Sequence, residues 1–171
     1  MKRIISATVV DQSGVLGRMT AVLTKRKLNI NSLTVAQSVK KDGTANMTIV
    51  TEVEDAHQAE QVIKQLTKLI DVISVADITD QSIVARELVL IKVAADDSTR
   101  HGIVGMIEPF RASIIDMSHE SMTIQVTGNT DKVEALIDLL IPYGIKEMCR
   151  TGVAAFFRGS QCLNEAGALS N

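Results

Sequence analysis

Between Arg3 and Ile78 the spacing of apolar residues switches back and forth between two and three-to-four, and that succession admits few folds. Ile5, Ala7 and Val9 alternate with Ser6 and Thr8, as in a half-buried strand. Leu16, Met19, Thr20 and Leu23 recur at helical spacing and predict a helix over 15–25. Leu33, Val35 and Val39 return to period two, and Met47, Ile49, Thr51 and Val53 continue it. Between these runs lies Lys41-Asp42-Gly43-Thr44, and Asp-Gly flanked by alternating apolar residues is the strongest short hairpin signal. Asp55 with Gln58 reads as a capping-box pair, and Ala59, Val62, Ile63, Leu66, Leu69 and Ile70 mark one helix face. Val72 to Ile78 closes the unit as a strand. The order β-α-β-β-α-β is the ferredoxin-like arrangement, with two helices on one face of a four-stranded antiparallel sheet.

A similar order follows in the second half. Residues 79–85 form a short candidate linker, and Leu88 to Ala94 is nearly all apolar, as expected of a strand buried on both faces. Thr99 to Phe110 is a weak helix, because Gly102, Gly105 and Pro109 lower its propensity. Ser113–Met117 and Met122–Thr127 predict a hairpin around His119-Glu120. Val133, Leu136, Ile137 and Leu140 mark a last helix, started by Thr130 and stopped near Pro142-Tyr143-Gly144. Ile145–Cys149 and Val153–Phe157 read as short strands on either side of Thr151-Gly152, and the residues from Gly159 onward as a loose tail. The fold class is therefore α+β, with two ferredoxin-like units. An open sheet face and two open sheet edges in such a unit predict at least a homodimer.

Composition narrows the function. A formal net charge of -2 provides no field for a polyanion or an anionic membrane. Tyr143, Phe110, Phe156 and Phe157 are the only aromatic residues, which leaves almost nothing to stack nucleic-acid bases. No apolar run approaches the length of a membrane span, and a cytoplasmic location follows as the default expectation. Cys149 and Cys162 form no C-x-x-C pair, so neither a disulfide framework nor a zinc site is expected. His57, His101 and His119 lack ligand spacing, no metal site is expected, and no glycine-rich phosphate loop or nucleophile motif is present. Asp96-Asp97 reads as an ordinary pair of carboxylates before a helix. Lys25-Arg26-Lys27 and Lys40-Lys41 read as solvated basic clusters, and no catalytic constellation assembles.

The segment Asp11-Gln12-Ser13-Gly14-Val15-Leu16-Gly17-Arg18 carries the functional signal. It lies where the first strand turns into the first helix. A polar turn with glycine at a helix start presents backbone N–H groups that no helical carbonyl satisfies. With the positive end of the helix dipole, they can hold a small carboxylate, and Asp11 is placed to meet the ammonium of the same ligand. The plainer reading is that Ser13 caps the helix and Gly14 makes a turn.

Ferredoxin-like units include RNA-recognition modules and amino-acid-sensing ACT domains. The RNA reading needs aromatic residues on central strands, and the first unit has none. The sensing reading needs a ligand loop after the first strand and a second contact segment at the start of the second strand, where Asn29-Ile30-Asn31-Ser32-Leu33 stands. Nearly the whole chain resembles the small, regulatory subunits of acetolactate synthase (acetohydroxyacid synthase). The resemblance is carried by D-Q-S-G-V-L-G-R at 11–18, N-I-N-S-L-T-V-A at 29–36 and Q-L-T-K-L-I-D-V at 65–72. R-E-L-V-L-I-K-V at 86–93, F-R-A-S-I-I-D-M at 110–117 and T-G-V-A-A-F-F-R-G at 151–159 extend it.

The resemblance implies an ACT domain over 1–79, which senses an amino acid and dimerises. It further implies the family's own C-terminal domain over 80–158, before a flexible tail over 159–171. It implies a non-catalytic subunit that binds and activates a large catalytic subunit. That subunit would confer feedback inhibition by valine on the synthesis of branched-chain amino acids. No cofactor is expected on this chain, with thiamine diphosphate, magnesium and FAD expected on the catalytic subunit. The implied valine shell is Asp11, Gly14, Val15 and Leu16 from one protomer, with Asn29 and Ile30 from its partner. The family often has asparagine where this chain has Asp11, and glycine where it has Lys27. Two rivals are a free-standing ACT-type sensor of another system and an enzyme with an unrecognised site in the second unit.

Overall fold

Alternation along β1 (Lys2–Val10) puts Ile5, Ala7 and Val9 on one face, and all three are buried. The computed structural model describes residues 1–39 and 42–163. Lys40 and Lys41 of the predicted hairpin, and residues 164–171 of the predicted tail, lie outside the described residues. Two units are resolved by Cα proximity: Met1–Val84 with the described residues from Val153 onward, and Ala85–Gly152.

In the first unit β1 is followed by α1 (Val15–Lys25), β2 (Ile30–Gln37), β3 (Thr44–Glu52), α2 (Ala56–Thr67) and β4 (Val72–Asp77). The antiparallel sheet runs β2-β3-β1-β4. β1 meets β3 from Lys2 opposite Glu52 to Val10 opposite Thr44. Met19 and Leu23 of α1 and Val62 and Leu66 of α2 pack on Ile5, Ala7, Val9, Met47 and Ile49. The predicted capping pair is present. Asp55 accepts from Gln58 N at 2.7 Å, and Gln58 Oε1 accepts from Glu54 N at 2.7 Å.

The second unit contains most of β5 (Ile83–Ala94), then α3 (Arg100–Ile107), β6 (Ser113–Met117), β7 (Ser121–Gly128), α4 (Thr130–Leu140) and β8 (Ile145–Arg150). Its strand order, β6-β7-β5-β8, repeats that of the first unit. The weak helix shortens to eight residues and ends in a 3-10 turn over Glu108–Phe110, where Pro109 cannot donate to a helical carbonyl. Thr130 is the first helical residue of α4. The cap is Asn129, whose side chain accepts from Lys132 N at 3.2 Å. β5 is not buried on both faces as its composition suggested. Val89, Ile91 and Val93 are buried while Leu88, Leu90 and Lys92 stay half-buried, because α3 and α4 cover one face only.

β9 (Ala154–Phe157) does not form a hairpin with β8 across Thr151-Gly152. It lies with the first unit, on the face of the sheet away from α1 and α2, with Val153, Ala155 and Phe157 buried and Ala154 and Phe156 exposed. Its backbone meets hydroxyls: Thr34 Oγ1 donates to Val153 O at 3.2 Å, and Ala155 N donates to Thr48 Oγ1 at 3.4 Å.

Within the second unit a buried carboxylate is neutralised across strands. Glu87 is 3% exposed and accepts from Arg150 Nε at 3.2 Å and Nη2 at 2.8 Å. Arg150 Nη1 also reaches Glu134 of α4 at 2.7 Å. Removing the cation leaves Glu87 charged and unpaired in the interior. Arg150→Met is therefore expected to destabilise the protein by about 3–5 kcal/mol, and Glu87→Gln with Arg150→Met by less, measured by urea unfolding.

Candidate functional site

Gly14 opens α1 with φ 86° and ψ -11°, a left-handed conformation. Ser13 makes no cap hydrogen bond; the helix starts on Gly14, whose carbonyl accepts from Arg18 N at 3.0 Å. The cap reading of Ser13 is thus corrected, and the turn reading of Gly14 holds. With no side-chain cap, the first amides of α1 are left to solvent or a ligand, apart from a long 3.4 Å contact of Val15 N with Gln12 O.

Asp11 is exposed at the end of β1. Its amide donates to Gly43 O at 2.7 Å, and its carboxylate accepts from Gln37 Nε2 at 2.8 Å. The Val15 side chain is buried among Met19 and Leu23, so only its backbone can meet a ligand, whereas Leu16 is exposed. Arg18 folds back over this turn. Its Nε donates to Asp71 Oδ2 at 2.6 Å, which raises the pKa of the guanidinium further. Gln37, Arg18 and Asp71 were not assigned roles from sequence. Their partners lie 26 and 53 residues away along the chain, and no local pattern announces such pairs.

Asn29 and Ile30 lie elsewhere. The Asn29 carbonyl accepts from the buried Thr51 hydroxyl at 2.6 Å, and a register shift between Ile30 and Ser32 bulges the start of β2. Ile30 is opposite Thr51 on β3, while Val10, just before the loop, is opposite Thr44. At about 3.3 Å per residue these positions are separated by roughly 23 Å. One protomer therefore assembles Asp11, Gly14, Val15 and Leu16, and does not bring Asn29 and Ile30 to them. A cleft of about 590 Å³ lies on the β9 side of the sheet, lined by Ser6, Thr8, Asn46, Thr48 and Phe156 among others, and includes none of the six predicted residues. Among the described residues no three His, Cys, Asp or Glu side chains cluster to hold a metal, and no helix is long and apolar enough to cross a membrane.

Comparison with known proteins reaches both units. A family model described as an AHAS small subunit-like ACT domain matches residues 5–74, and one described as the small subunit of acetolactate synthase matches residues 86–159. The acetolactate synthase small subunit of Bacillus subtilis is 56% identical over 161 residues, covering 94% of this chain and 93% of that protein. That of Mycolicibacterium smegmatis is 44% identical over 162 residues, covering 95% and 94%. The crystal structure of the small subunit from Thermotoga maritima superposes with a TM-score of 0.82 at 34% identity, covering 94% of this chain and 99% of that one.

The approach to Asn29 carries a further backbone constraint. Lys27 has φ 58°, and Leu28 N donates to Leu23 O at 3.1 Å while Lys27 N donates to Thr24 O at 2.9 Å. This is a Schellman end with lysine at the left-handed position that glycine usually fills. Lys27→Gly removes the Cβ penalty but loosens the unfolded chain. A net gain of about 0.5–1 kcal/mol is expected, read as a higher urea midpoint at unchanged slope.

Proposed function

Since this chain belongs to the acetolactate synthase small-subunit family, we propose that it is a regulatory, non-catalytic subunit that activates a large catalytic subunit and makes it sensitive to valine. On this reading thiamine diphosphate, magnesium and FAD serve the large subunit, and this chain contributes an amino-acid switch to branched-chain amino-acid synthesis. The reading is supported by the placement of the two predicted ligand segments at opposite ends of one sheet.

That placement invites a second copy. β2 is an edge strand of the first unit's sheet, and Val35 on it is 45% exposed. Two β2 edges paired antiparallel about a two-fold axis would put the start of one beside the end of the other. Gln37 ends β2 and holds Asp11, so the partner's Asn29 and Ile30 would arrive next to the loop of the first protomer. The six residues would then close on a zwitterion. The outward amides of α1 would face the carboxylate, Asp11 the ammonium, and exposed Leu16 with Ile30 the aliphatic side chain.

Two measurements check this. Acetolactate formation by the cognate large subunit should rise on adding the chain, which alone forms none, and valine should inhibit only when the chain is present. Gly14→Asp should keep the activation and weaken valine inhibition by roughly 5- to 150-fold, through bulk and like charge at the carboxylate. No change in rate or valine sensitivity at saturating chain would overturn the assignment. In sedimentation at micromolar concentration the chain should be at least a dimer, with association strengthened by valine. A monomer unmoved by saturating valine would contradict the shared site.

A further inference from the structure

The guanidinium of Arg18 is engaged on one edge only. Its Nε donates to Asp71 Oδ2, and Nη1 and Nη2 meet no protein acceptor among the described residues. Arg150 behaves differently toward Glu87, closing on the carboxylate with both Nε and Nη2. A two-point grip is the ordinary way for arginine to neutralise a nearly buried carboxylate. Arg18 forgoes it, and its Nη edge is turned to Gly14 instead. A Cβ on Gly14 would stand 3.0 Å from Nη1, so the cation lies directly against the left-handed turn that opens α1.

Asp71 is a rigid support for this arrangement. It is 9% exposed, and its carbonyl accepts from Val10 N at 2.8 Å, which ties it to the last residue of β1. The Arg18 side chain remains 47% exposed, open to a ligand at the loop. Arg18 is also the single cation in the segment 11–18, whose other charge is Asp11. Without it, a ligand carboxylate would meet a carboxylate at Asp11 and another at Asp71, with only backbone dipoles to offset them.

We propose that Arg18, positioned by Asp71, is the carboxylate anchor of the effector site and sets its preference for free α-amino acids over their uncharged-carboxyl analogues. The inference rests on the effector-site reading above. The Nη edge takes the carboxylate at the start of α1, and Asp11 at the other end of the loop takes the ammonium. A side chain at Gly14 would crowd Nη1, 3.0 Å from the added Cβ, and would also be strained by the left-handed backbone at φ 86°.

The test is calorimetric titration of the full chain with valine and with valinamide, which keeps the ammonium and lacks the carboxylate charge. Wild type should prefer valine. Arg18→Gln should lose roughly 10- to 150-fold in valine affinity and change little toward valinamide, because a hydrogen bond to a charged group is removed from one ligand only. Arg18→Lys keeps the charge without the fork and should fall between them, and Asp71→Asn should lose less than Arg18→Gln. Thermal unfolding of each variant reports whether it is folded, and if Arg18→Gln is not, the valine-to-valinamide ratio of Arg18→Lys decides. A folded variant with an unchanged ratio, beside a Gly14→Asp chain that has lost valine, overturns the anchor and leaves the effector site standing. A wild-type chain that binds no amino acid overturns both.

Discussion

β3 runs antiparallel to both of its neighbours, so β1 and β2 point the same way on either side of it. The end of β1 and the start of β2 are thereby held at opposite ends of the sheet. The proposed effector site depends on that separation. On the proposed reading the start of α1 offers its amides to an anion where β1 ends, and the bulged start of β2 reaches that anion from another copy. The sheet also supplies the means of joining, because β2 has one edge not paired within its own sheet. A site divided as proposed would report on association as well as on ligand, which suits a subunit whose proposed task is control.

Much of this architecture was legible from the chain because its causes are local. The period of the apolar residues places β1, α1, β3 and α2, and the Asp55–Gln58 pair caps α2 as its spacing implies. Even the oddity at Lys27 is a local matter, since a left-handed residue is needed wherever a helix closes in a Schellman turn. What was missed has non-local causes. Nothing near Val153 announces that β9 will leave β8 and lie on the other side of the first sheet, since small and apolar residues at 153–157 satisfy either placement. Continuous apolarity in β5 suggested two covered faces, but coverage depends on where α3 and α4 land.

The ligand loop shows the same limit at finer scale. Its glycine and its charges are readable, and so is the expectation of unpaired amides at a helix start. The side chains that hold its two charges come from Gln37 and Asp71, which folding brings to Asp11 and Arg18. Val15 shows the converse. It sits in the matching motif, yet its side chain belongs to the core, and its part in any site is confined to its backbone.

A regulatory subunit built this way can act only through a difference in affinity. A ligand that met both arrangements of the two ACT domains equally would shift nothing, however tightly it bound. The proposed divided site would supply such a difference, because a ligand spanning two chains would be held fully in one arrangement and by half its contacts in any other. Couplings of this kind are typically about 1–3 kcal/mol, which matches the strength of about one charge-assisted hydrogen bond. The proposed Arg18–carboxylate contact lies within one chain and sets affinity rather than this difference. If valine is the effector, linkage requires reciprocity: whatever valine does to the affinity for the catalytic partner, the partner must do to the affinity for valine. On the proposed reading the contacts that differ between arrangements are those of the partner's Asn29 and Ile30. Their loss would remove the coupling, whereas loss of the Arg18 anchor would weaken the ligand in both arrangements alike.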